Sequence, residues 1–182
     1  ELPDDSHLAV PDYIKQNFSE LALNIRGDAE KDFQKVQNLS DFFKNNDFKY
    51  SLSIDLKQGR DPILYFLTES KTGYCEYYAT AAVILLRLMG VRARYLSGFI
   101  VSEESPDKEF FVVRALHAHA WVEYFDTEQG VWETYDPTSY AMGFEPNEGY
   151  EPSAFERFFE LILFQRDRLR NTVSKLSMDE IR

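Results

Sequence analysis

Gly73-Tyr74-Cys75-Glu76-Tyr77-Tyr78, running directly into Ala79-Thr80-Ala81-Ala82-Val83-Ile84-Leu85-Leu86, is the stretch from which the fold can be read. The run from Ala79 is apolar on nearly every side, and Gly90 supplies the left-handed residue that closes such a helix. A helix with no polar face has to be covered all round, so it is expected to pass through the core with its first turn opening onto a cleft. That first turn carries the only cysteine of the chain. Free N–H groups at a helix start carry roughly half a positive charge, which lowers a thiol pKa and offers hydrogen bonds to a developing oxyanion. A lone cysteine is more often a small buried apolar residue. Such a residue belongs mid-helix among the alanines, whereas Cys75 follows Gly73 at the helix mouth with bulky tyrosines beside it. Cys75 is therefore the candidate nucleophile.

A nucleophilic thiol needs a base, and the histidines of the chain are His7, His117 and His119. His7 lies in a polar N-terminal segment. His117 and His119 stand two apart in Leu116-His117-Ala118-His119-Ala120-Trp121-Val122-Glu123, and on a continuous strand they would share a face. Only one need be the base. Read instead as the start of a metal site, the pair would require Glu123 or Asp136 to complete it, since such sites take three or four ligands. An imidazole base needs a carboxylate to fix its tautomer and stabilise its charged form. If Phe125 pairs with Gly130 across a four-residue loop, the ladder puts His119 directly opposite Asp136. A one-residue change in loop length would turn Asp136 to the other face. Asp136-Pro137-Thr138 also reads as an ordinary strand-to-turn exit.

Upstream of the central stretch, Val10-Pro11 opens a helix expected to reach Leu23. A second, from about Ala29 to Asn45, sets Phe33, Val36, Leu39 and Phe42/Phe43 on one face. Phe48 to Ile54 alternates like a strand, and Asp61-Pro62 supplies a cap and a first-turn proline for a short helix through Leu67. Downstream, strands are expected over Ala93–Ser102, Phe110–Arg114, His119–Phe125 and Val131–Tyr135, with Glu103–Glu109 as an exposed turn. Pro137 cannot donate to a ladder and leaves Asp136 at the tip of the last strand. A Gly/Pro/acidic loop covers residues 143–152, and a closing helix is expected from Ser153 to Ser177. Helices first, then an antiparallel sheet, then a helix make an α+β chain.

With 182 residues, 44% hydrophobic and 15% aromatic, the chain can bury one substantial core without staples or metal, so one domain over 1–182 is expected. The longest apolar run is too short to cross a bilayer. A net charge of −11 excludes nucleic acid as a natural partner, because phosphate binding needs concentrated positive potential. That acidity would draw amine or cationic substrates, or it is simply a solvated surface. One cysteine leaves no internal disulfide and says nothing of redox compartment. A start at Glu1 without initiator Met or leader suggests a mature form or an excised piece.

Four ordered strings carry a resemblance: Gly-Tyr-Cys-Glu-Tyr-Tyr-Ala-Thr-Ala, Leu-Leu-Arg-Leu-Met-Gly-Val-Arg-Ala-Arg-Tyr, His-Ala-His-Ala-Trp-Val-Glu-Tyr and Val-Trp-Glu-Thr-Tyr-Asp-Pro-Thr. Together they resemble the transglutaminase-like superfamily, and within it bacterial membrane-anchored proteins. The likeness extends upstream through Phe48–Leu52 and Gly59–Leu67. It implies a papain-like α+β core over about 46–140, with N-terminal helices in 1–45 and a C-terminal helix in 153–182. It implies Cys75 as nucleophile, His119 as base and Asp136 as the acid that orients it, with no cofactor and no metal. An upstream aromatic or polar side chain is the usual second oxyanion donor of the superfamily, for which Tyr50 and Tyr65 are candidates, each also readable as packing. Trp121 could wall an acyl channel or belong to the core.

The activity implied is acyl transfer or hydrolysis at amide bonds through a thioester, as transglutaminase, deamidase or peptidase, on a protein or peptide substrate bearing glutamine-type amides, with a possible amine acceptor. The alternative is a catalytically silent binding or scaffold domain. By the same likeness, the domain would sit in a cell envelope, periplasmic or extracytoplasmic, tethered through segments outside this chain.

Overall fold

Two amphipathic helices open the chain, each turning one apolar stripe inward. α1 (Asp12–Arg26) buries Ile14, Phe18, Ala22 and Ile25, and α2 (Asp32–Asn45) buries Val36, Leu39 and Phe43. Both start later than expected, because Pro11 caps the first and Gly27, at φ 53°, turns the chain before the second. The computed structural model describes residues 2–139 except 56, 102, 106 and 107. All belong to the compact unit Glu1–Gly143, while the expected loop and closing helix fall in Phe144–Arg182 and lie outside the described residues, but for Gly143 itself, also undescribed.

The strand expected over Phe48–Ile54 shrinks to β1 (Lys49–Tyr50). Beyond it the Ser51 hydroxyl bonds the Ser53 carbonyl and accepts from the Ser53 amide, a local turn that competes with the ladder. α3 (Pro62–Tyr65) has the expected cap, with the Asp61 carboxylate accepting from Ile63 and Leu64 at 2.9 Å. It does not continue to Leu67 as an α-helix but widens into a π turn over Phe66–Ser70, which lets the consecutive residues Phe66 and Leu67 both face the core. β2 (Thr72–Gly73) then pairs in parallel with β1.

α4 (Cys75–Leu88) is the central helix, with Cys75, Tyr78, Ala79, Ala81, Ala82, Val83, Leu85 and Leu86 buried. It packs against α1 and α2 on one side and the sheet on the other. Its end is a full Schellman motif: Gly90, at φ 81°, donates to Arg87 O, and Val91 donates to Leu86 O.

The main sheet has the antiparallel order β3 (Ala93–Phe99), β6 (Ala118–Asp126), β7 (Val131–Tyr135). Between its first two strands lies a two-stranded ribbon: β4 (Glu103–Glu104) opens the segment expected to be an exposed turn, and β5 (Phe111–Val112) falls within the strand expected over Phe110–Arg114. The forked pair of Arg114 on Glu103 at 2.7 Å pins that ribbon, and β3 ends at Phe99, earlier than expected. The α+β class read from the sequence is the one observed, with the helices ahead of the antiparallel sheet.

One register differs from expectation. Phe125 lies opposite Trp132, not Gly130, and the hairpin closes at Asp126↔Val131. The Asp126 carboxylate accepts from the Glu128 and Gln129 amides, so the turn starts one residue later on one arm and ends one later on the other. Extended beyond its last pair, the ladder would set Asp136 across from Trp121, not His119. A slip of two preserves the face, so His119 and Asp136 remain diagonal neighbours.

α2 holds this hairpin at both ends. Buried Asp32 accepts from Thr127 N at 3.1 Å and Thr127 Oγ1 at 2.5 Å and pairs with Lys35, and Ser40 Oγ bonds the Tyr135 hydroxyl at 3.1 Å. Asp32→Ala would strand Lys35 and the Thr127 donors, and should cost about 2–4 kcal/mol in urea unfolding. A loss below ~0.5 kcal/mol would show that the turn is held by other means.

Candidate active site

Cys75 occupies the first turn of α4, whose N-cap residue, Tyr74, makes no side-chain cap. The approach to it is sterically fixed. A Cβ on Gly73 would lie 2.8 Å from Tyr77 Cβ and 3.0 Å from the Phe66 ring, so only glycine lets the chain enter the helix here. The parallel pairing of β1 with β2, through Ser51 N to Gly73 O at 2.9 Å, brings Tyr50 alongside that entry. The Tyr50 hydroxyl stands beside the Cys75 sulfur and helps lower its thiol, and Tyr78, one helical turn on, backs the Tyr50 ring at 6.4 Å.

The other side of the thiol is built by the sheet. His119 is 7% exposed and stands beside Cys75, lowering its thiol; its Nε2 lies 2.8 Å from Asp136 Oδ2, leaving Nδ1 as the ring nitrogen for sulfur. Asp136 is fixed in turn: Oδ1 accepts from the Thr138 amide at 2.9 Å and the Thr138 hydroxyl at 2.7 Å. The Ala120 amide also faces Cys75 and helps lower its thiol. That amide faces the β7 side, because residues of β6 with odd numbers serve β3, as Phe125 N to Arg92 O and Ile100 N to His117 O show. A continued β7 would oppose Ala120 with Pro137, which has no N–H. The strand stops at Tyr135, and the freed amide turns to sulfur.

Electrostatics follow from this packing. Burial pushes the Cys75 thiol up, but hydrogen bonds from His119, Ala120 and Tyr50 and the imidazolium charge outweigh it, and the thiol ends below its ordinary value. The hydrogen bond to Asp136, then that to Cys75, raises His119 from 6.5 to about 9 against the opposing effect of burial. Asp136 is pushed up by burial, yet bonds from His119 and Thr138 leave it below the usual carboxylate range. Burial, then the charge of Cys75, raises Tyr50 to about 12, so its hydroxyl keeps its proton and stays a donor. The thiol is lowered while the imidazole is raised, and the two shifts together favour a thiolate beside an imidazolium. Such a pair can attack an electrophilic carbonyl and hand a proton to the leaving group.

Of the residues singled out in the sequence, Cys75, His119 and Asp136 come together: His119 bonds Asp136 at 2.8 Å and stands close enough to Cys75 to lower its thiol. Tyr50 joins them, whereas Tyr65 lies under the Lys57 ammonium at 5.4 Å. His117 does not share the face of His119, because a 3₁₀ turn, Ala115–His117, precedes the strand and its Nδ1 accepts from the Arg114 amide at 3.2 Å. Among the described residues no group of three His, Cys, Asp or Glu is placed to hold a metal ion. Trp121 lies nearly parallel to the His119 ring at 6.2 Å and across Gly98, where a Cβ would meet its indole at 2.8 Å. Thr138 and the Ala120 amide were not foreseen. Thr138 could have been found, since Asp-x-Thr is a common side-chain-to-backbone turn; the amide depends on where a ladder stops.

Residues 19–137 match the family described as the transglutaminase-like superfamily core. Over 141 residues the chain is 34% identical to YebA of Bacillus subtilis (strain 168), covering 74% of this chain and 19% of that protein. Over 96 residues it is 38% identical to the protein-glutamine gamma-glutamyltransferase of Pseudomonas aeruginosa, covering 53% and 14%. The crystal structure of the periplasmic domain of TgpA from Pseudomonas aeruginosa, bound to ethylmercury, superposes with a TM-score of 0.66 at 32% identity, over 72% of this chain and 47% of that one. The chain thus spans a fifth or less of these curated relatives and under half of the solved domain.

The pH dependence of alkylation tests the site directly. Because the thiol is lowered, iodoacetamide should react with Cys75 at a rate that levels off below the ordinary thiol midpoint of about 8.5. In His119→Ala, burial is left opposed only by the two remaining donors, and the midpoint should move upward. Equal midpoints in the two proteins would show that the imidazole does not stabilise the thiolate.

Proposed function

The chain belongs to the transglutaminase-like superfamily, and on that premise we propose that it is a thiol acyltransferase in which Cys75 is the nucleophile, His119 the general acid and base, and Asp136 the group that orients His119. The 2.8 Å bond of His119 to Asp136, closed at its far end by Thr138, with Cys75 beside the ring and its thiol lowered by it, is what supports this reading.

In the first half, the Cys75 thiolate attacks the carbonyl carbon of a glutamine-type carboxamide. The oxyanion that forms is met by an amide of the open first turn of α4 and by the Tyr50 hydroxyl, which moves from sulfur to oxygen. His119 gives its proton to the departing nitrogen, and ammonia leaves a thioester on Cys75. In the second half, neutral His119 takes a proton from an incoming amine or water. Attack on the thioester returns the electron pair to sulfur and releases a substituted amide or a carboxylate. Asp136 stays ionised throughout and holds Nε2, which keeps the other ring nitrogen aimed at the reaction.

An amine acceptor makes the reaction cross-linking, water makes it deamidation, and a backbone amide as donor would make it proteolysis. The protein-glutamine gamma-glutamyltransferase likeness favours the first. The likeness to a periplasmic domain favours a place outside the cytoplasm; no described helix is long and apolar enough to cross a membrane.

Incubation with a casein-type glutamine donor and a fluorescent amine should label the donor, and Cys75→Ala should abolish the labelling. Tyr50→Phe should lower kcat on the order of a hundredfold with little change in KM, since the hydroxyl acts on the transition state. New peptide ends instead of label would establish a peptidase, and ammonia without label a deamidase. None of these with intact protein would favour a binding domain.

A further inference from the structure

Among the described residues β3 is an edge strand: β6 pairs with one side, and no strand pairs with the other. Its even-numbered neighbours serve β6, as Arg92 O and Ile100 N do, so alternation aims the N–H and C=O groups of Tyr95, Ser97 and Phe99 outward. The side chains there are also exposed, Tyr95 at 40% and Phe99 at 53%, as are Val101, Phe111 and Val113 farther along the chain. Natural edges of this kind are usually blunted by charge, proline or a bulge. This one is not: the single charged residue of β3, Arg94, is on the β6 register and is tied to Glu123.

The edge lies beside the reaction centre. α4 extends about 21 Å at 1.5 Å per residue, and a short turn feeds it into β3, which returns at about 3.3 Å per residue. The two are in contact, so the Phe99 end of β3 comes level with Cys75. Gly98 pairs with His119 in the ladder. Tyr95 is within electrostatic reach of Cys75, Glu76 and Tyr74. Glu76 and Glu104 are exposed around this edge, and the chain as a whole carries −11. A second copy would bring equal negative charge to the same place, whereas a cationic chain is attracted.

We propose that the free edge of β3 is the docking site for the polypeptide that supplies the acyl-donor amide: an extended, lysine- or arginine-bearing segment adds as a strand beside Tyr95–Phe99 and presents a side-chain amide to Cys75. Main-chain hydrogen bonds give the affinity, and the exposed aromatic and aliphatic side chains grip every second residue of the guest. Only the delivery to sulfur rests on the function proposed above. The consequence is a preference for unfolded or extended substrate segments over helical surfaces.

Fluorescence anisotropy of the full chain with Cys75→Ala tests this apart from catalysis. The probe is a fluorescein-labelled peptide in which lysine alternates with valine around one glutamine. It should bind, and N-methylation of its alternate amides, Ser97→Pro and Phe99→Arg should each weaken binding by about tenfold or more. Proline at position 97 removes only an outward N–H, a substitution that edge strands tolerate. Unchanged iodoacetamide reactivity of Cys75 in each variant that retains the thiol verifies that the site is intact. No binding, equal binding of the N-methylated peptide, or concentration-dependent dimers abolished by Phe99→Arg would overturn the proposal. Peptide binding with no role for His119 in alkylation would sink the proposed chemistry and leave the docking edge standing.

Discussion

A thiol only 7% exposed ionises with difficulty, and the whole site depends on how that difficulty is overcome. Burial disfavours the anion by removing water, so the fold must put something better in its place. Here three groups from two separate parts of the chain act on one sulfur: Tyr50 from β1, and the Ala120 amide and the His119 imidazole from β6. None is close to Cys75 in sequence. The parallel bridge of β1 to β2 brings the first, and the early stop of β7 frees the second.

The same stop serves the imidazole. Because β7 ends at Tyr135, Asp136 leaves the ladder and turns toward His119, with Thr138 gripping its other oxygen. Asp32 and Ser40 of α2 hold the hairpin at Thr127 and Tyr135, so the N-terminal helices reach the site through its scaffold without touching the thiol. Membership of the superfamily, matched over residues 19–137, includes most of those helices.

Much of this was legible in the sequence because it rests on local rules. An all-apolar helix ended by Gly90 announced α4, and a cysteine placed at its mouth, not mid-helix, announced the candidate nucleophile. Asp61-Pro62 announced α3. What was not legible is where pairing begins and ends. Phe48–Ile54 has the alternation of a strand, yet the Ser51 and Ser53 hydrogen bonds cut it to Lys49–Tyr50. The hairpin register slipped by two because the Asp126 carboxylate organises the turn, a side-chain effect that alternation does not encode. The expected meeting of His119 with Asp136 survived that slip only because two is the strand period. Tyr50 and Tyr65 were equivalent in the sequence; the neighbour of β1 in space separated them.

Everything turns on whether His119 is positively charged beside an anionic sulfur. Nitrogen NMR of ring-labelled histidine, followed against pH, reads that state without substrate. The account predicts that the His119 ring holds its proton to about 9 and that Cys75→Ala brings its titration down, since the sulfur is one of the two groups that hold it up. A ring that titrates near 6.5, whether or not the sulfur is present, would contradict the pairing on which the site is built.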